Sequence, residues 1–385
     1  MLTLIENGQV YAPEPLGRQS VLLADSKIAK VGPVDRGALE RLGVEHEVVD
    51  AAGCIVAPGL IDPHQHLLGG SGEEGFSTQT PEFFISEIVQ WGITTVVGSL
   101  GVDTTMKTMP GLLAKAKALA EEGLNAYIWT GGYNVPPTSI MQTIRDDIMF
   151  IAEVIGAGEI AISDRRGMNP PVSEIARVVT DSYIGGILSK KAGVTHFHVG
   201  ESDRRLAPLR DLLENYDVEP QWLYVTHIER SEALMREAVD LVGKGVVVDI
   251  DTVEEDLPRW LRFYLDHGGD PERLTVSSDA SISSPRVLYE QICRCVVQHG
   301  FPLELALSLV TRNTARILKL QEKGTVEKGK MGDLVVLRQG SLDIVHVLSR
   351  GEFMVRDGSL VRTEKFLEGS NRSVRLEGKK GSEEG

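Results

Sequence analysis

The sequence predicts an α/β protein in which a (β/α)8 TIM-type barrel is joined to a small β-sandwich-like domain built from both termini. Eight strand-like apolar runs alternate with helical segments through the middle of the chain. Strand-like runs without helices lie at both ends. Polar residues follow several of the middle strands, and the carboxyl ends of the strands are where such a barrel places its chemistry.

Residues 1–57 form the N-terminal part of the predicted small domain. Their short runs, for example 21–24 and 28–32, are apolar or alternating and are broken by Gly, Pro and Asp. Residues 321–368 have the same character, so we expect the two ends to pair into one domain. Residues 369–385 are rich in Gly, Ser, Lys and Glu, which predicts a disordered tail.

Residues 58–320 form the predicted barrel domain. A doubly wound sheet is the alternative, but no Gly-x-Gly-x-x-Gly follows the first strand. The predicted strands are residues 55–61, 93–97, 126–129, 159–162, 195–199, 222–225, 246–250 and 274–277. The predicted helices are residues 81–91, 109–122, 140–155, 173–191, 206–216, 231–242, 253–267 and 285–298.

The composition excludes several classes of partner. The formal net charge of −15 argues against binding to nucleic acid or to an anionic membrane surface. No apolar run approaches the about 20 residues of a membrane span. The N-terminus lacks the features of a signal peptide, and three cysteines fit a reducing compartment, so we expect a cytoplasmic location. Cys293 and Cys295 are expected to be small buried apolar side chains rather than metal ligands.

Two histidines at the end of the first predicted strand begin the candidate site. His64 and His66 are separated by one residue, and residues i and i+2 of a strand point to the same face. Imidazole nitrogens are good ligands for zinc and related divalent ions. The pair alone is weak evidence, because a buried histidine is often only a hydrogen-bonded core residue.

Further polar side chains at the ends of other strands extend this pair to a predicted two-metal site. His64 and His66 are expected to hold one ion, and His198 and His227 the second. Glu159 is placed to reach both ions. Asp279 is expected to contact a metal and to take a proton from a water whose pKa the ions lower. The alternative for Asp279 is the N-cap of a helix.

The order of these residues resembles the amidohydrolase superfamily: His-x-His after strand one, a carboxylate on strand four, histidines on strands five and six, and an aspartate on strand eight. Within it the closest likeness is to the isoaspartyl dipeptidase (β-aspartyl peptidase) family, and this likeness covers nearly the whole chain. The motifs that carry it are residues 69–73, 78–82, 130–136, 161–166, 211–215 and 277–279.

This resemblance implies a metallo-dependent dipeptidase that hydrolyses β-aspartyl dipeptides by a metal-activated hydroxide and that forms homo-oligomers. Such a substrate carries a free α-amino group and two free carboxylates. By likeness to the family, Glu73 binds the amino group, Arg166 and Arg230 bind the carboxylates, and Ser283 makes a further contact. Tyr133 matches the tyrosine that polarises the scissile carbonyl.

The sequence departs from the family pattern at two positions. The family usually bridges its metals with a carboxylated lysine, and here Glu159 stands in that position. The charge and ligand atoms are the same, but the side chain is shorter; Lys190 and Lys191 are poor substitutes. Val102 stands where a threonine is expected to contact the substrate, which removes one hydrogen bond worth about 1 kcal/mol.

Other functions on the same scaffold stay open. They are a cyclic-amide hydrolase of the dihydroorotase or hydantoinase type, an N-acyl amino acid deacylase, and an inactive barrel that serves as a binding protein. The combination of Glu73, Arg166 and Arg230 argues against a neutral ring substrate. The ligands suit zinc, which we expect, but also manganese, cobalt or iron.

Overall fold

The structure is a computed structural model that describes residues 1–373. Residues 374–385, most of the predicted disordered tail, lie outside the described residues. Two sheets organise the chain: a parallel barrel and a mixed sheet to which both ends of the described chain contribute. In the described part, no helix combines the length and apolarity needed to cross a bilayer.

The strands up to the end of the barrel follow one another along the chain. Those of the N-terminal segment are β1 (Leu2–Tyr11), β2 (Pro15–Ala24), β3 (Lys27–Val31), β4 (His46–Asp50) and β5 (Cys54–Pro58). Those of the barrel are β6 (Leu60–Gln65), β7 (Ile93–Gly98), β8 (Asn125–Thr130), β9 (Val154–Ile162), β10 (Thr195–Val199), β11 (Leu223–Thr226), β12 (Val247–Asp251) and β13 (Leu274–Ser277). Each barrel strand pairs in parallel with the next, as predicted.

The remaining strands return to the first sheet. They are β14 (Leu334–Arg338), β15 (Ile344–Ser349), β16 (Glu352–Arg356) and β17 (Ser359–Leu360). β14 pairs antiparallel with β5, which joins the two ends into one sheet in the order β17-β16-β15-β14-β5-β1-β2-β3, with β4 beside β1. This pairing of the two ends was predicted from the sequence. A separate core that includes Ile5, Val56 and Leu348 stabilises this sheet.

Helices cover the outside of the barrel. They are α2 (Ile85–Val89), α3 (Met109–Glu121), α4 (Ile144–Phe150), α5 (Val172–Ser189), α6 (Ala207–Asn215), α7 (Glu232–Lys244), α8 (Leu257–Asp266), α9 (Arg286–Val297), α10 (Leu303–Leu309) and α11 (Arg312–Ile317), after α1 (Arg36–Arg41) in the small sheet's segment. Cys293 and Cys295 lie on α9, where burial raises the pKa of both thiols, to about 11 and about 12. They are free and lie among the packed apolar side chains.

Two predicted helices are shorter than expected. The helix predicted over 81–91 spans only Ile85–Val89, because Glu87 accepts a hydrogen bond from the Phe84 backbone N–H (2.8 Å) and so begins the helix there. The helix predicted over 140–155 ends at Phe150, and β9 already begins at Val154. Every position of β9 is buried, and such a strand reads as an apolar run that periodicity cannot separate from a helix.

The prediction of a single strand over 55–61 is wrong. Residues up to Pro58 belong to the terminal sheet, and the barrel begins at Leu60. Gly59 connects the two sheets, and a Cβ atom there would overlap the side chain of Thr94 on β7. Only glycine therefore lets β6 and β7 approach each other where the chain passes between the sheets.

Replacement of Gly59 by alanine is expected to destabilise the protein by about 1–3 kcal/mol, because the added methyl group overpacks this contact. The measurement is the free energy of unfolding in denaturant. Gly243→Ala is the control: Gly243 lies in α7 with nothing within 4 Å of a Cβ, so the change is expected to stabilise by about 0.5–1 kcal/mol. Equal effects of the two substitutions would contradict the packing argument.

The barrel closes between its first and last strands, and this closure forms part of the candidate site. The backbone N–H of His66 donates to Ala280 O (2.9 Å), and the N–H of Asp279 donates to His64 O (3.1 Å). Below them, Ser278 donates from both its backbone N–H and its hydroxyl to the buried Asp62 carboxylate (3.1 and 2.6 Å). These hydrogen bonds hold His64 and His66, at the end of β6, beside Asp279, which follows β13.

Candidate metal centre

The six predicted ligands converge at the carboxyl ends of the barrel strands. They come from β6 and the residue after it (His64, His66), from β9 (Glu159), from β10 (His198) and from the residues that follow β11 and β13 (His227, Asp279). All are buried except His66 and Asp279, whose side chains are 13% and 19% exposed. The site is therefore screened from bulk water but open on the side of these two residues.

The first half of the cluster contains His64, His66 and Asp279. His66 Nε2 lies 3.0 Å and His64 Nε2 lies 3.4 Å from Asp279 Oδ1. One ligand atom from each of the three side chains lies within 4.8 Å of the others. Two imidazole nitrogens and one carboxylate oxygen directed at one point form a donor set that suits a divalent ion.

The second half contains His198 and His227. His198 Nδ1 lies 2.6 Å and His227 Nε2 lies 3.3 Å from Glu159 Oε1. The two rings meet nearly edge to face, with centroids 4.4 Å apart. The sequence placed these histidines on different strands, and the barrel brings them to one carboxylate oxygen.

Glu159 lies between the two halves. Its Oε1 atom faces His198 and His227, whereas its Oε2 atom lies 3.1 Å from His64 Nε2 and 3.8 Å from His66 Nε2. Between the pairs Ala157–Thr195 and Ile160–Phe197, β9 holds one residue more than β10. Glu159 lies in this bulge, a feature that redirects side chains next to active sites. The carboxylate of a side chain shorter than a carboxylated lysine thus reaches both halves.

The charges of the cluster favour cations. Burial disfavours the charged form of His64, yet the carboxylates of Glu159 and Asp279 raise its pKa to about 10. The pKa of Glu159 is correspondingly held well below its ordinary value despite its burial, by the charge of His64 and by hydrogen bonds with His198 and His227. Carboxylates that raise the pKa of the buried His64 in this way supply the negative potential that a divalent ion requires, and the donor set fits such an ion.

Two carboxylates that the sequence analysis did not single out lie behind the second-half histidines. Asp164 Oδ2 lies 2.9 Å from His198 Nε2 and accepts from the Arg166 guanidinium (2.8 Å). Asp251 Oδ2 lies 2.6 Å from His227 Nδ1. Asp164 lies within residues 161–166, one of the motifs that carry the family likeness. Asp251 is the last residue of β12, which, like β7 and β8, contributes no predicted ligand. A search of every strand end for acids would have found Asp251.

Tyr133 is buried beside the second half. Its hydroxyl lies 2.9 Å from His198 Nδ1, and the Arg166 guanidinium lies over its ring at 5.4 Å. Burial and the charge of Glu159 raise the pKa of Tyr133 well above its ordinary value. The phenol therefore keeps its proton and can act as a hydrogen-bond donor.

The three charged side chains expected to bind substrate surround the mouth of the site. They line a cavity of about 1190 Å³ that also reaches His227 and Asp279. Arg166 Nη1 pairs with Glu73 Oε1 at 2.9 Å across two loops. Arg230 is exposed, follows His227 in a short 3-10 helix, and forms no ion pair with any residue of the range 1–373. The Arg230 guanidinium, which lies at the mouth of the candidate metal centre without an ion-pair partner in this range, is therefore free to bind an anion.

Ser283 and Val102 are not among the residues that line the main cavity. Ser283 lines a neighbouring cavity of about 380 Å³ rather than the main one, and within the described chain its buried hydroxyl has no hydrogen-bond partner. Val102 follows Gly101, whose carbonyl accepts from the Tyr133 backbone N–H (3.1 Å). Lys190 and Lys191 line a different cavity with Lys319 and Lys323, away from the predicted ligands, so neither replaces the bridging lysine.

Comparisons with known proteins agree with this architecture. The model of the Amidohydrolase family matches residues 263–363. The crystal structure of a β-aspartyl dipeptidase from Fervidobacterium islandicum AW-1 is 38% identical, with a TM-score of 0.89, over 94% of this chain and 98% of that one. The complex of that enzyme with the β-Asp-Leu dipeptide matches at 37% identity and a TM-score of 0.88.

Curated sequence relatives carry a different name. An adenine deaminase of Mesorhizobium japonicum is 23% identical over 93% of this chain but only 57% of its own length. An adenine deaminase of Halalkalibacterium halodurans is likewise 23% identical, over 58% of its length. The chain thus spans a little over half of these relatives.

A parallel barrel with these candidate ligands at its strand ends, together with similarity over nearly the whole chain, places the protein in a known class: it belongs to the amidohydrolase superfamily. Within that superfamily it is similar to the β-aspartyl dipeptidases, as the sequence predicted.

Proposed function

We propose that the protein is a metal-dependent hydrolase that cleaves the isopeptide bond of β-aspartyl (isoaspartyl) dipeptides. The observation that carries the proposal is the set of charges around the cluster: one carboxylate, Glu73, and two guanidiniums, Arg166 and Arg230, beside one cavity. A β-aspartyl dipeptide has the complementary charges, one ammonium group and two carboxylates. The similarity to the Fervidobacterium enzyme supports the same substrate.

In this proposal the six predicted ligands would hold two divalent ions, and zinc is the expected metal. These ligands are His64, His66, His198, His227, Glu159 and Asp279. Such ions act as Lewis acids and lower the pKa of water. Asp279 accepts a proton from the attacking water at its carboxylate and delivers it to the nitrogen of the leaving residue. Tyr133 donates a hydrogen bond to the scissile carbonyl oxygen. The products are aspartate and the free C-terminal residue.

Glu73, Arg166 and Arg230 orient the dipeptide in this scheme. Glu73 binds the α-amino group, and the two guanidiniums bind the carboxylates. In the protein alone Glu73 and Arg166 pair with each other at 2.9 Å, and in this scheme a substrate with both charges replaces the contact. The contribution of Ser283 stays a prediction, as do a cytoplasmic location and a homo-oligomeric assembly.

The bridge formed by Glu159 leads to a test of metal dependence. Chelation is expected to abolish hydrolysis, and zinc alone is expected to restore it. Added bicarbonate should make no difference, because a glutamate, unlike a carboxylated lysine, needs no carbon dioxide to become a ligand. The measurement is recovery of activity in degassed buffer with and without bicarbonate. Recovery only with bicarbonate would contradict Glu159 as the bridge.

The names of the curated relatives raise adenine deamination as a second candidate. Adenine is a neutral base, and three charged side chains at the mouth of the cavity have no counterpart on it. The cyclic-amide hydrolase and N-acyl amino acid deacylase alternatives are disfavoured in the same way, since their substrates lack one or more of the three charges. Turnover of β-Asp-Leu, adenine and dihydroorotate by one preparation separates these functions. Turnover of adenine alone would contradict the proposal.

A further inference from the structure

We infer that Asp251 is a positioning residue that fixes the ring of His227 for binding one of the two ions. This inference deepens the proposed metal centre and rests on it. His227 follows β11 directly and has a left-handed backbone, with φ of 66°. Its ring is therefore not held by regular strand pairing and needs another restraint.

Asp251 supplies that restraint. Its Oδ2 atom accepts from His227 Nδ1 at 2.6 Å, which leaves Nε2 facing Glu159 Oε1 at 3.3 Å. A carboxylate on one ring nitrogen fixes the tautomer, directs the other nitrogen to the metal, and makes it a stronger ligand. His198 is held in the same way by Asp164, so both second-half histidines have a carboxylate behind them.

Asp251 is itself rigidly placed. It pairs with Ser277 of β13, and its Oδ1 atom accepts from the backbone N–H of Val253 at 2.9 Å. The carboxyl group of Glu229, in the same turn as His227, lies close enough to interact electrostatically with that of Asp251. The side chains of Asp251 and Glu229 are both more than nine-tenths buried. Two adjacent buried acids are costly in a folded protein, and a role in holding His227 explains their presence.

A second aspartate on the same strand provides a matched control. Asp249 lies two residues earlier and is fully buried. It accepts hydrogen bonds from the hydroxyls of Thr226, Thr275 and Ser277 (2.9, 2.5 and 2.6 Å) and contacts no histidine. Its substitution removes a buried carboxylate from β12 that makes no hydrogen bond to a proposed ligand.

The test is the affinity of the purified full chain for Zn²⁺, measured by competition with a chromophoric chelator. Asp251→Ala is expected to weaken one ion about 10- to 100-fold and leave the other nearly unchanged, the effect typical of lost partners behind metal ligands. Asp251→Asn keeps the shape and an acceptor oxygen without the charge, so a smaller weakening of the same ion is expected. If the alanine variant does not fold, the Zn²⁺ affinity of the asparagine variant still tests the inference.

Asp249→Asn is expected to lower the melting temperature without changing either ion affinity. Wild-type affinity for both ions in the Asp251 variants, or equal losses for Asp249→Asn and Asp251→Asn, would overturn the inference. The measurement of Zn²⁺ affinity needs no substrate, so its result can be separated from a test of the proposed hydrolysis. Failure to cleave β-Asp-Leu would remove that function and leave the role of Asp251 standing.

Discussion

Replacement of Glu159 by alanine is expected to lower kcat/KM for β-Asp-Leu by about 10³-fold or more, because it removes the proposed ligand of both halves at once. Glu159 Oε2 faces His64 and His66, and Oε1 faces His198 and His227. Without this carboxylate the two sets of histidines lose the negative charge that joins them. The zinc content should fall with the activity.

Glu159→Gln makes the prediction sharper. The amide has the shape of the carboxylate but offers one oxygen and one NH2 group, so it can serve as a ligand to one half only. The variant is therefore expected to retain one tightly bound ion and lose the other. The measurement is zinc content per chain after dialysis, on the same sample as the kinetics.

Glu153→Gln is the control for this pair of variants. Glu153 lies just before β9 and pairs with Lys117 near the surface. Its substitution should leave zinc content and kcat/KM unchanged. Full zinc content in Glu159→Gln would contradict a bridging role, and full activity in Glu159→Ala would contradict the metal centre.

Replacement of Arg230 by methionine is expected to raise KM for β-Asp-Leu by about 10- to 100-fold, the effect of losing a hydrogen-bonded charge pair. Arg230 is exposed at the cavity mouth. In the proposed role Arg230 binds the substrate in the ground state as well as in the transition state, so KM should change more than kcat. Methionine keeps much of the length of the side chain and removes both the charge and the N–H donors of the guanidinium.

Two comparisons make this result specific. Arg259→Met removes another arginine of the same cavity, one that lies over Trp260 at 4.5 Å and near Glu232 and Asp256, so its KM should stay close to that of the wild type. A dipeptide with one carboxylate converted to an amide should be a poorer substrate of the wild type. If Arg230→Met leaves KM for β-Asp-Leu unchanged, Arg230 is not a carboxylate ligand.

The fold was predictable because its signals are local and repeated. Each barrel strand is a buried apolar run followed by a helix, so the alternation appears even where boundaries are wrong. The errors lie where one pattern fits two structures. The run over 55–61 crosses from one sheet to the other at Gly59, and only the contact with Thr94 shows where the sheets separate. That contact joins residues distant in the sequence and leaves no local signal.

The convergence of the candidate ligands was predictable for a geometric reason. The carboxyl ends of parallel strands meet at one end of a barrel, so polar residues after several strands must meet there. The role of Asp251 behind His227 was not predicted, because nothing in the sequence distinguishes Asp251 from Asp249 on the same strand. One contacts His227 and the other contacts hydroxyl groups only. Which of these partners each aspartate contacts depends on the side chains that the neighbouring strands place beside it.

The most direct test of the proposed chemistry is kcat/KM for β-Asp-Leu compared with α-Asp-Leu, on a sample whose metal content is determined. The two dipeptides have the same composition and differ in which carboxyl of aspartate forms the amide. Glu73, Arg166 and Arg230 surround the cavity beside the cluster, so only the β-linked isomer should place its amide there with its charges satisfied. We expect turnover of β-Asp-Leu alone with about two metal ions per chain. Equal turnover of both isomers, or two bound ions without cleavage of β-Asp-Leu, would contradict the proposed function.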